Sequence, residues 1–277
     1  MKKIQFTVTN VADGMKISEY LKKRLGFSSA LITKVKFGGV YLNETNVHMR
    51  ATVHNGDVIS VFFPDESSEN IEPMAIPLNI VYEDDDVLAV DKPKNMPTHP
   101  SKGNNLPTLA NAVAAYYGEN FVFRSINRLD RDTSGIVIIA KNPYSAANLG
   151  RAMKEHKFGK KYIARVIGTP DPASGRISAP IEREEEGNIK RIVKPNGKTA
   201  ITDYRVISSA DDGTSLCELT LHTGRTHQIR VHMAHIGHAL VDDFLYGTKN
   251  GDDSYFLRCV EISFPHPRSG ETLVIRV

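Results

Sequence analysis

The sequence predicts an α+β protein in which a small N-terminal unit precedes a larger one. Three observations support this: short alternating or fully apolar segments typical of strands, amphipathic segments with helical spacing, and an acidic stretch bounded by prolines. The chain has 277 residues, of which 40% are hydrophobic and 24% charged, as in a globular protein with a sizeable core. We expect units at 1–63 and 77–277, joined by a linker at 64–76 that acts as a hinge and lets the small unit move.

The composition argues against several classes of protein. No apolar stretch approaches the roughly 20 residues that span a bilayer, and the N-terminus lacks a signal-peptide core, so we expect a cytoplasmic protein without a membrane partner. Cys217 and Cys259 are the only cysteines, and neither lies in a Cys-x-x-Cys pair. We therefore expect two buried thiols instead of a disulfide or a zinc site.

The first unit combines two helical patterns with short strands. Ile17, Leu21 and Leu25 recur at i, i+4 and i+8, and Gly26 follows as a helix end. A second helix can be capped by a serine at 28 or 29. We expect helices over 17–25 and from the serine pair onward, and strands over 4–9, 40–43 and 57–62.

The cations of this unit are its second feature. Residues 1–62 carry nine Lys and Arg against four Asp and Glu, although the net charge of the whole chain is only +3. Phosphate binding needs clustered cations more than global charge. The alternative is that these charges only solvate the two helices. The candidate RNA-binding residues are Lys22, Lys23, Arg24, Lys34 and Lys36.

The second unit alternates strands and helices. The Asp84–Asp86 turn of its first hairpin is interpreted as a solvated acidic turn, and Ile136–Ala140 is apolar throughout, as in a strand buried on both faces. Thr226 can cap a late helix that Gly237 ends. Further expected elements are a hairpin over 80–91, helices over 109–117 and 143–156, and a strand over 159–168.

An Arg- and Asp-rich stretch, Asn127–Gly135, comes immediately before the apolar strand. We therefore expect a turn held against the core. Guanidinium groups near Asp130 would favour the ionised form of its carboxylate, which suits a nucleophile or an anionic base. The structural alternative is an Asx-type turn, in which Asp and Ser side chains bond local backbone N–H groups.

This stretch resembles the His-Arg-Leu-Asp-x-x-Thr-Ser-Gly motif of the RluA/RluD-type RNA pseudouridine synthases, with Asn127 in place of the usual His. In that family the aspartate that matches Asp130 is catalytic. The Lys-x-Tyr-x-Ala-x-Val pattern around Tyr162 resembles a second motif, whose Tyr stacks on the target base and is a candidate to abstract its proton. Thr223–His232 resembles a third, Thr-Gly-Arg-Thr-His-Gln-Ile-Arg-x-His, in which the Arg of Gln-Ile-Arg, here Arg230, pairs with the catalytic Asp. Leu257 is similar to a family apolar residue that packs beside them.

The resemblance implies a mixed, largely antiparallel sheet in the catalytic domain and the isomerisation of uridines in ribosomal or transfer RNA. It implies Asp130, Tyr162 and Arg230 as catalytic residues and no cofactor, metal or DNA partner; we expect a monomer. The alternative is a non-catalytic RNA-binding or ribosome-assembly protein on the same fold. Whether Asp130 attacks base or ribose stays open. The implied substrate-binding residues are Arg128, Arg225, His227 and Leu257.

One further resemblance and one difference from the family concern the two ends of the chain. Residues 15–61 are similar to the ribosomal-protein-type (S-four) RNA-binding module, with a Gly-Val-x-x-Asn segment at 39–43 and a Gly-Asp-x-Ile segment at 56–59. The synthase family usually has Gly-Asp-Pro where this chain has Asp242-Asp-Phe244, a difference that the sequence does not explain.

The histidines allow a competing hypothesis. His232, His235 and His238 fall at i, i+3 and i+6, with His222 and His227 nearby, so they could ligate a metal in a metallohydrolase. Against this, Gly237 breaks the helix before the last of them, and no His-Glu-x-x-His spacing occurs.

A charged loop, Glu184–Arg191, and the segment 197–200 lie between predicted strands. Polar loops on a rigid scaffold often carry binding residues. We therefore consider this region a candidate RNA-gripping element.

Overall fold

The computed structural model describes residues 2–12, 14–64, 66, 71–101, 107–118, 121–247 and 255–277. Two bodies of mixed secondary structure each surround a hydrophobic core of their own. The predicted α+β class is confirmed.

The N-terminal body is a four-stranded sheet with two short helices. Its strand order is β1-β4-β2-β3, and every pair is antiparallel. The Ser28 hydroxyl accepts the Leu31 backbone N–H at 3.2 Å, so the predicted serine cap of the second helix is confirmed. The bounds are β1 Lys2–Thr7, α1 Ile17–Lys23, α2 Ser29–Val35, β2 Val40–Leu42, β3 Thr45–Asn46 and β4 Val58–Phe63.

The larger body is built on a nine-stranded sheet, as far as the described residues show. Its order is β5-β6-β7-β14-β8-β13-β12-β9, with β15 added beside β14. Among the described strand pairs, only β7–β14 is parallel, so the prediction of a mixed, largely antiparallel sheet is confirmed. The strands are β5 Ile80–Glu83, β6 Val87–Lys92, β7 Ser134–Ala140, β8 Gly159–Ile167, β9 Ser174–Ser178, β10 Ile181–Arg183, β11 Arg191–Val193, β12 Ile201–Ser209, β13 Thr214–Leu221, β14 Leu257–Pro265 and β15 Thr272–Arg276.

Three helices accompany this sheet, α3 Leu109–Tyr117, α4 Pro143–Lys154 and α5 Gln228–His235, and strands β10 and β11 form a separate two-stranded ribbon. The predicted start of the third helix is wrong by one residue. His227, not Thr226, is its N-cap and has a φ of +57° without a side-chain cap bond. Propensity favours Thr as a cap, but the tertiary contacts of His227, described below, fix its position instead.

The acidic turn of the first hairpin is structural, so its interpretation as a merely solvated turn is wrong. Asp86 is 2% exposed and accepts hydrogen bonds from Ser145 at 2.7 Å and Arg268 at 2.8 Å. The Asp84 carboxylate accepts the backbone N–H groups of Asp86 and Val87, each at 2.7 Å. The turn thereby ties β5–β6 to α4 and to the C-terminal segment.

The two bodies are in direct contact. The Tyr144 ring of α4 lies 5.2 Å from the Phe6 ring and 4.9 Å from the Phe27 ring, inside the N-terminal core. Arg151 also donates to the Gly26 carbonyl at 3.1 Å. This apolar contact opposes the free hinge motion that the linker composition predicts, because moving the small unit would expose the three rings.

Both cysteines are free and buried, as predicted. Within the described part of the chain, no helix has the length and apolar character needed to cross a membrane.

Candidate active site

Three adjacent strands bring the motif residues together. In the sheet, Cys259 of β14 lies opposite Gly135 of β7 on one side and Tyr162 of β8 on the other. Gly135 has a φ of +111°, and a Cβ there would lie 2.2 Å from the Cys259 carbonyl oxygen, so only glycine permits this close approach. The turn that carries Asp130 is thus held beside Tyr162.

Buried polar groups fix this turn. The Asn127 side chain donates to the Ile136 carbonyl at 3.0 Å and accepts the Ile138 N–H at 2.8 Å, as a backbone segment would. The fully buried Lys92 ammonium donates to the carbonyls of Pro93, Met96 and Arg131 at 2.8, 2.7 and 3.2 Å. Burial lowers the pKa of Lys92 to about 8.

A cavity of about 390 Å³ opens beside the turn. It is large enough for a small ligand. All seven residues that the sequence assigns to catalysis or substrate binding line it, and they come from the turn, two strands, the segment that leads into α5 and α5 itself. They are Arg128, Asp130, Tyr162, Arg225, His227, Arg230 and Leu257.

The Asp130 carboxylate is 30% exposed and faces this cavity. The two arginines that flank it in sequence do not pair with it. Arg131 makes a bidentate pair with Asp132 at 2.8 and 2.9 Å, and Arg128 is exposed. Among the described residues, the basic side chain within 4 Å of this carboxylate is His227, whose Nε2 lies 3.9 Å from Asp130 Oδ2.

The direct partner of Arg230 differs from the prediction. Its Nε and Nη2 atoms both donate to Asp243 at 2.7 Å, so Asp243, not Asp130, accepts the bidentate bond. The guanidinium also lies 4.3 Å from the centre of the Tyr255 ring. Asp243 is the middle residue of the Asp242-Asp243-Phe244 segment, where the family usually has Gly-Asp-Pro. Its carboxylate binds the Arg230 guanidinium, which explains why an acidic residue lies there. Sequence spacing could not show this contact, because it depends on how the 240s turn folds back on α5.

Tyr162 is 5% exposed and lines the cavity. Burial, together with a hydrogen bond with the Cys259 thiol, raises the pKa of its phenol well above the usual value. The hydroxyl therefore stays protonated near neutral pH. The geometry suits contact of the ring with a ligand better than proton abstraction by a phenolate.

His227 is held by a chain of hydrogen bonds. The Tyr246 hydroxyl accepts the Arg191 backbone N–H at 2.8 Å and lies 2.8 Å from His227 Nδ1. Donation by the hydroxyl to Nδ1 satisfies both groups and leaves the proton of the neutral ring on Nε2, towards Asp130. Burial lowers the pKa of His227, which favours the neutral ring.

Lys160, the lysine of the Lys-x-Tyr pattern, also lines the cavity, a position that the sequence does not predict. It is 8% exposed, and burial lowers its pKa. Its ammonium has no ion pair or hydrogen bond with any residue that the structure describes. A buried cation without a partner is costly, so its position at the cavity wall favours an electron-rich ligand.

The histidines do not assemble a metal site. His232 is fully buried between the Thr202 hydroxyl and the Ala179 carbonyl, each at 2.9 Å, and His238 contacts the Ile167 carbonyl at 2.9 Å. His222 lies 2.7 Å from Asp203 on the surface. Among the described residues, no three His, Cys, Asp or Glu side chains come together as metal ligands.

The cations predicted to bind RNA are exposed on α1 and α2 or directly after them. Two of them have acidic partners: Lys23 pairs with Glu19 at 2.6 Å, and Lys34 pairs with Glu66 at 2.6 Å. The other three, Lys22, Arg24 and Lys36, make no ion pair with a described residue. Lys36 lies 4.6 Å from the Phe37 ring, which is 83% exposed.

Comparisons with known proteins identify the family of the chain. Residues 86–235 match the family described as RNA pseudouridylate synthase. The chain is 37% identical to Uncharacterized RNA pseudouridine synthase YjbO of Bacillus subtilis, over 94% of this chain and 93% of that protein. It is 36% identical to Ribosomal large subunit pseudouridine synthase D of Haemophilus ducreyi, over 86% of this chain and 77% of that protein.

Among solved structures, Human RNA Pseudouridylate Synthase Domain Containing 1 is similar, with a TM-score of 0.63 and 28% identity. The alignment covers 75% of this chain and 86% of that one. The sequence and the fold thus lead to one family. The chain belongs to the RluA/RluD-type RNA pseudouridine synthases, which are isomerases.

Proposed function

We propose that the cavity binds one flipped-out uridine of RNA and that Asp130 initiates its isomerisation to pseudouridine without a cofactor. The observation that carries this proposal is that Asp130, Tyr162, Arg230 and Leu257 line one cavity. The reaction breaks the bond between uracil N1 and ribose C1′ and forms a bond between C5 and C1′. C5 loses a proton and N1 gains one, so nothing is oxidised and no group is transferred to another molecule.

Binding has to offset the cost of extracting the base. Flipping a nucleotide out of folded RNA costs a few kcal/mol. Stacking on an aromatic ring contributes about 1–3 kcal/mol per base. The Tyr162 ring and the Leu257 side chain are the apolar wall groups that we assign to the uracil face.

Asp130 acts as a carboxylate in this proposal. It attacks the base or ribose C1′, or it removes a ribose proton. Arg230 and the Lys92 ammonium are close enough for electrostatic interaction with it. The Nη1 group of Arg230 makes no hydrogen bond to the described residues, so it is available to Asp130 or to the substrate.

Lys160 supplies positive charge where the base would bind. When the bond between N1 and C1′ breaks, the bonding electrons stay on the uracil, whose negative charge is shared with its carbonyl oxygens. A preorganised ammonium at the cavity wall stabilises such a developing charge. We therefore assign Lys160 to a uracil oxygen.

Release of tritium from carbon 5 of labelled uridine tests the proposal. The substrate is total RNA from a strain that lacks the protein. We expect wild type and the exposed control Asp85→Asn to release tritium, and Asp130→Asn to fold and bind RNA without release. Full activity of Asp130→Asn would refute the role of Asp130. RNA binding without tritium release by wild type would favour the non-catalytic alternative.

We further infer that residues 1–63 bind RNA, that 64–76 connect them, and that 77–277 carry the chemistry. The exposed Lys22, Arg24 and Lys36 support this. The triple change of these residues to Gln is expected to weaken RNA binding and alter target choice, because each lost phosphate contact weakens binding and lowers its salt dependence. The single change Lys23→Gln is the control, since Lys23 is paired with Glu19. Equal affinities of the triple variant and the control would contradict the inference.

The proposed substrate is ribosomal or transfer RNA in the cytoplasm, acted on by a monomer. The name of the Haemophilus relative points to ribosomal RNA of the large subunit. Mapping pseudouridine in RNA from cells with and without the protein identifies the target. A map without any lost site in either RNA class would overturn this choice of substrate.

A further inference from the structure

A second cavity, of about 490 Å³, adjoins the first. The two share Gly224, Arg225 and Thr226 as a common wall. The β10–β11 ribbon and residues 196–198 form the remaining walls. We propose that this ribbon cavity binds the phosphodiester backbone of the RNA beside the flipped uridine, an inference that rests on the proposed function.

The charges of the ribbon cavity suit a polyanion. Four cationic side chains line it: Arg183, Arg191, Lys198 and Arg225. None of the four forms an ion pair with a described residue. The one acidic residue of the lining, Glu182, has its carboxylate 3.4 Å from the Lys194 ammonium, so a separate cation already compensates it.

The pairing of the ribbon provides an independent argument. Arg183 lies directly opposite Arg191 in the antiparallel register, so both side chains project from the same face. Like charges in this position destabilise a strand pair. The protein alone gains nothing from the arrangement, whereas a phosphate group placed between the two guanidinium groups would accept hydrogen bonds from both.

The backbone of the ribbon that carries these cations is held in place by hydrogen bonds and by apolar packing. The Ile181 N–H and the Lys198 N–H each donate to the other residue's carbonyl at 2.9 Å. A Cβ on Gly197 would lie 2.7 Å from the Ile181 carbonyl carbon, so glycine is required for this approach. Ile181 packs with Val231 of α5 in a small apolar cluster. The ribbon is therefore fixed to the helix that carries Arg230.

Because the ribbon cavity adjoins the cavity that we assign to the uridine, we expect RNA as its occupant. Arg225 borders both cavities, and its Nε donates to the Thr199 carbonyl at 2.8 Å, which holds the side chain at their junction. The Arg191 backbone is linked through Tyr246 to His227 in the first cavity. A strand whose base enters the first cavity would lead its neighbouring phosphates into the second.

The test compares full-length wild type with the double variant Arg183→Gln/Arg191→Gln. Binding to fluorescein-labelled single-stranded decauridylate is measured from 50 to 300 mM salt. Two lost phosphate contacts lower the slope of log K against log salt by about 1.4 and weaken binding at 0.1 M by roughly 25-fold. The melting temperature is expected to stay or to rise by about 1–2 °C, because a like-charge pair is removed. A purely structural role would instead lower it.

The control is Arg205→Gln/Arg276→Gln, which removes two exposed strand arginines elsewhere and is expected to change the slope little. Wild-type tritium release combined with an unchanged slope in the ribbon variant would overturn the subsite and leave the proposed function intact. No release by wild type, together with the expected loss of slope, would support the subsite and overturn the catalytic proposal. In an active enzyme, the ribbon variant is expected to raise KM for RNA and leave kcat within about twofold.

Discussion

Arg230 and Asp243 form a buried bidentate pair, with both hydrogen bonds at 2.7 Å. The Asp243 side chain is fully buried, and that of Arg230 is only 4% exposed. The pair fixes the guanidinium at the cavity wall while leaving Nη1 open. It also explains why the Asp242-Asp243-Phe244 turn keeps a carboxylate at its centre, with Asp242 at a φ of +60°, where the family usually has glycine.

Removal of Asp243 alone is expected to be strongly destabilising. The change Asp243→Ala leaves a buried guanidinium uncompensated, which costs about 3–5 kcal/mol. The double variant Arg230→Met/Asp243→Leu removes both charges and is expected to recover most of the stability but no activity. Denaturant unfolding and tritium release measure the two effects. An active double variant would show that Arg230 has no catalytic role.

Replacement of Lys160 is expected to reduce catalysis without loss of stability. The change Lys160→Met removes a charged hydrogen bond to the uracil, worth about 1.5–3 kcal/mol, so kcat/KM falls roughly 10- to 150-fold. Stability stays or rises, because a buried cation without a protein partner is removed. The side chain of the adjacent Lys161 is 42% exposed and pairs with Glu261 at 3.1 Å. Lys161→Met is therefore the matched control, and an equal loss in both variants would contradict the assignment.

The ring and the hydroxyl of Tyr162 can be separated by two variants. Tyr162→Phe keeps the stacking surface and is expected to retain activity within about tenfold, because a phenol that is protonated at neutral pH is a poor base. Tyr162→Leu loses about 1–3 kcal/mol of stacking, or roughly 5- to 150-fold in kcat/KM. Single-turnover kinetics at pH 7.5 measures both. A loss of activity in Tyr162→Phe as large as that in Tyr162→Leu would assign the function to the hydroxyl.

Activity is expected to fall as the pH rises through about 8, the pKa to which burial lowers Lys92. The neutral amine can donate only two hydrogen bonds to the three carbonyls that the ammonium binds, so the Asp130 turn loosens. Stability responds in the opposite direction. Between pH 8 and the ordinary value of 10.5, the unfolded chain binds the extra proton, so the Lys92 contribution to the free energy of unfolding increases with pH. A kcat that stays constant to pH 9.5 would contradict this role, and recovery at pH 7.5 controls for irreversible unfolding.

Asn127 is expected to be structural. Its amide replaces a backbone partner for Ile136 and Ile138, so Asn127→Ala leaves two buried backbone groups unsatisfied at about 1–3 kcal/mol each. We expect a lower melting temperature and a loss of activity that osmolyte stabilisation partly restores. Asn127→His tests whether the usual family residue can take over these bonds. Unchanged stability of Asn127→Ala would exclude the proposed role.

The sequence by itself determined several of the elements and the family. Hydrophobic periodicity and helix capping depend on residues that are close together in the chain. For this reason the serine cap of α2, the apolar strand β7 and the Asn142-Pro143 start of α4 could be predicted from the sequence. The motifs also named seven residues that line one cavity, because each motif fixes its own backbone turn or strand.

Only the tertiary structure decided which charged groups meet. Arg230 lies 13 residues from Asp243, Asp86 lies 182 residues from Arg268, and Arg183 faces Arg191 only through the register of the ribbon. Pairing energies depend on distance and burial, which spacing along the chain does not encode. The same reason explains why an acidic turn that looked solvated is buried, and why the conspicuous arginines beside Asp130 in the sequence pair elsewhere or face solvent.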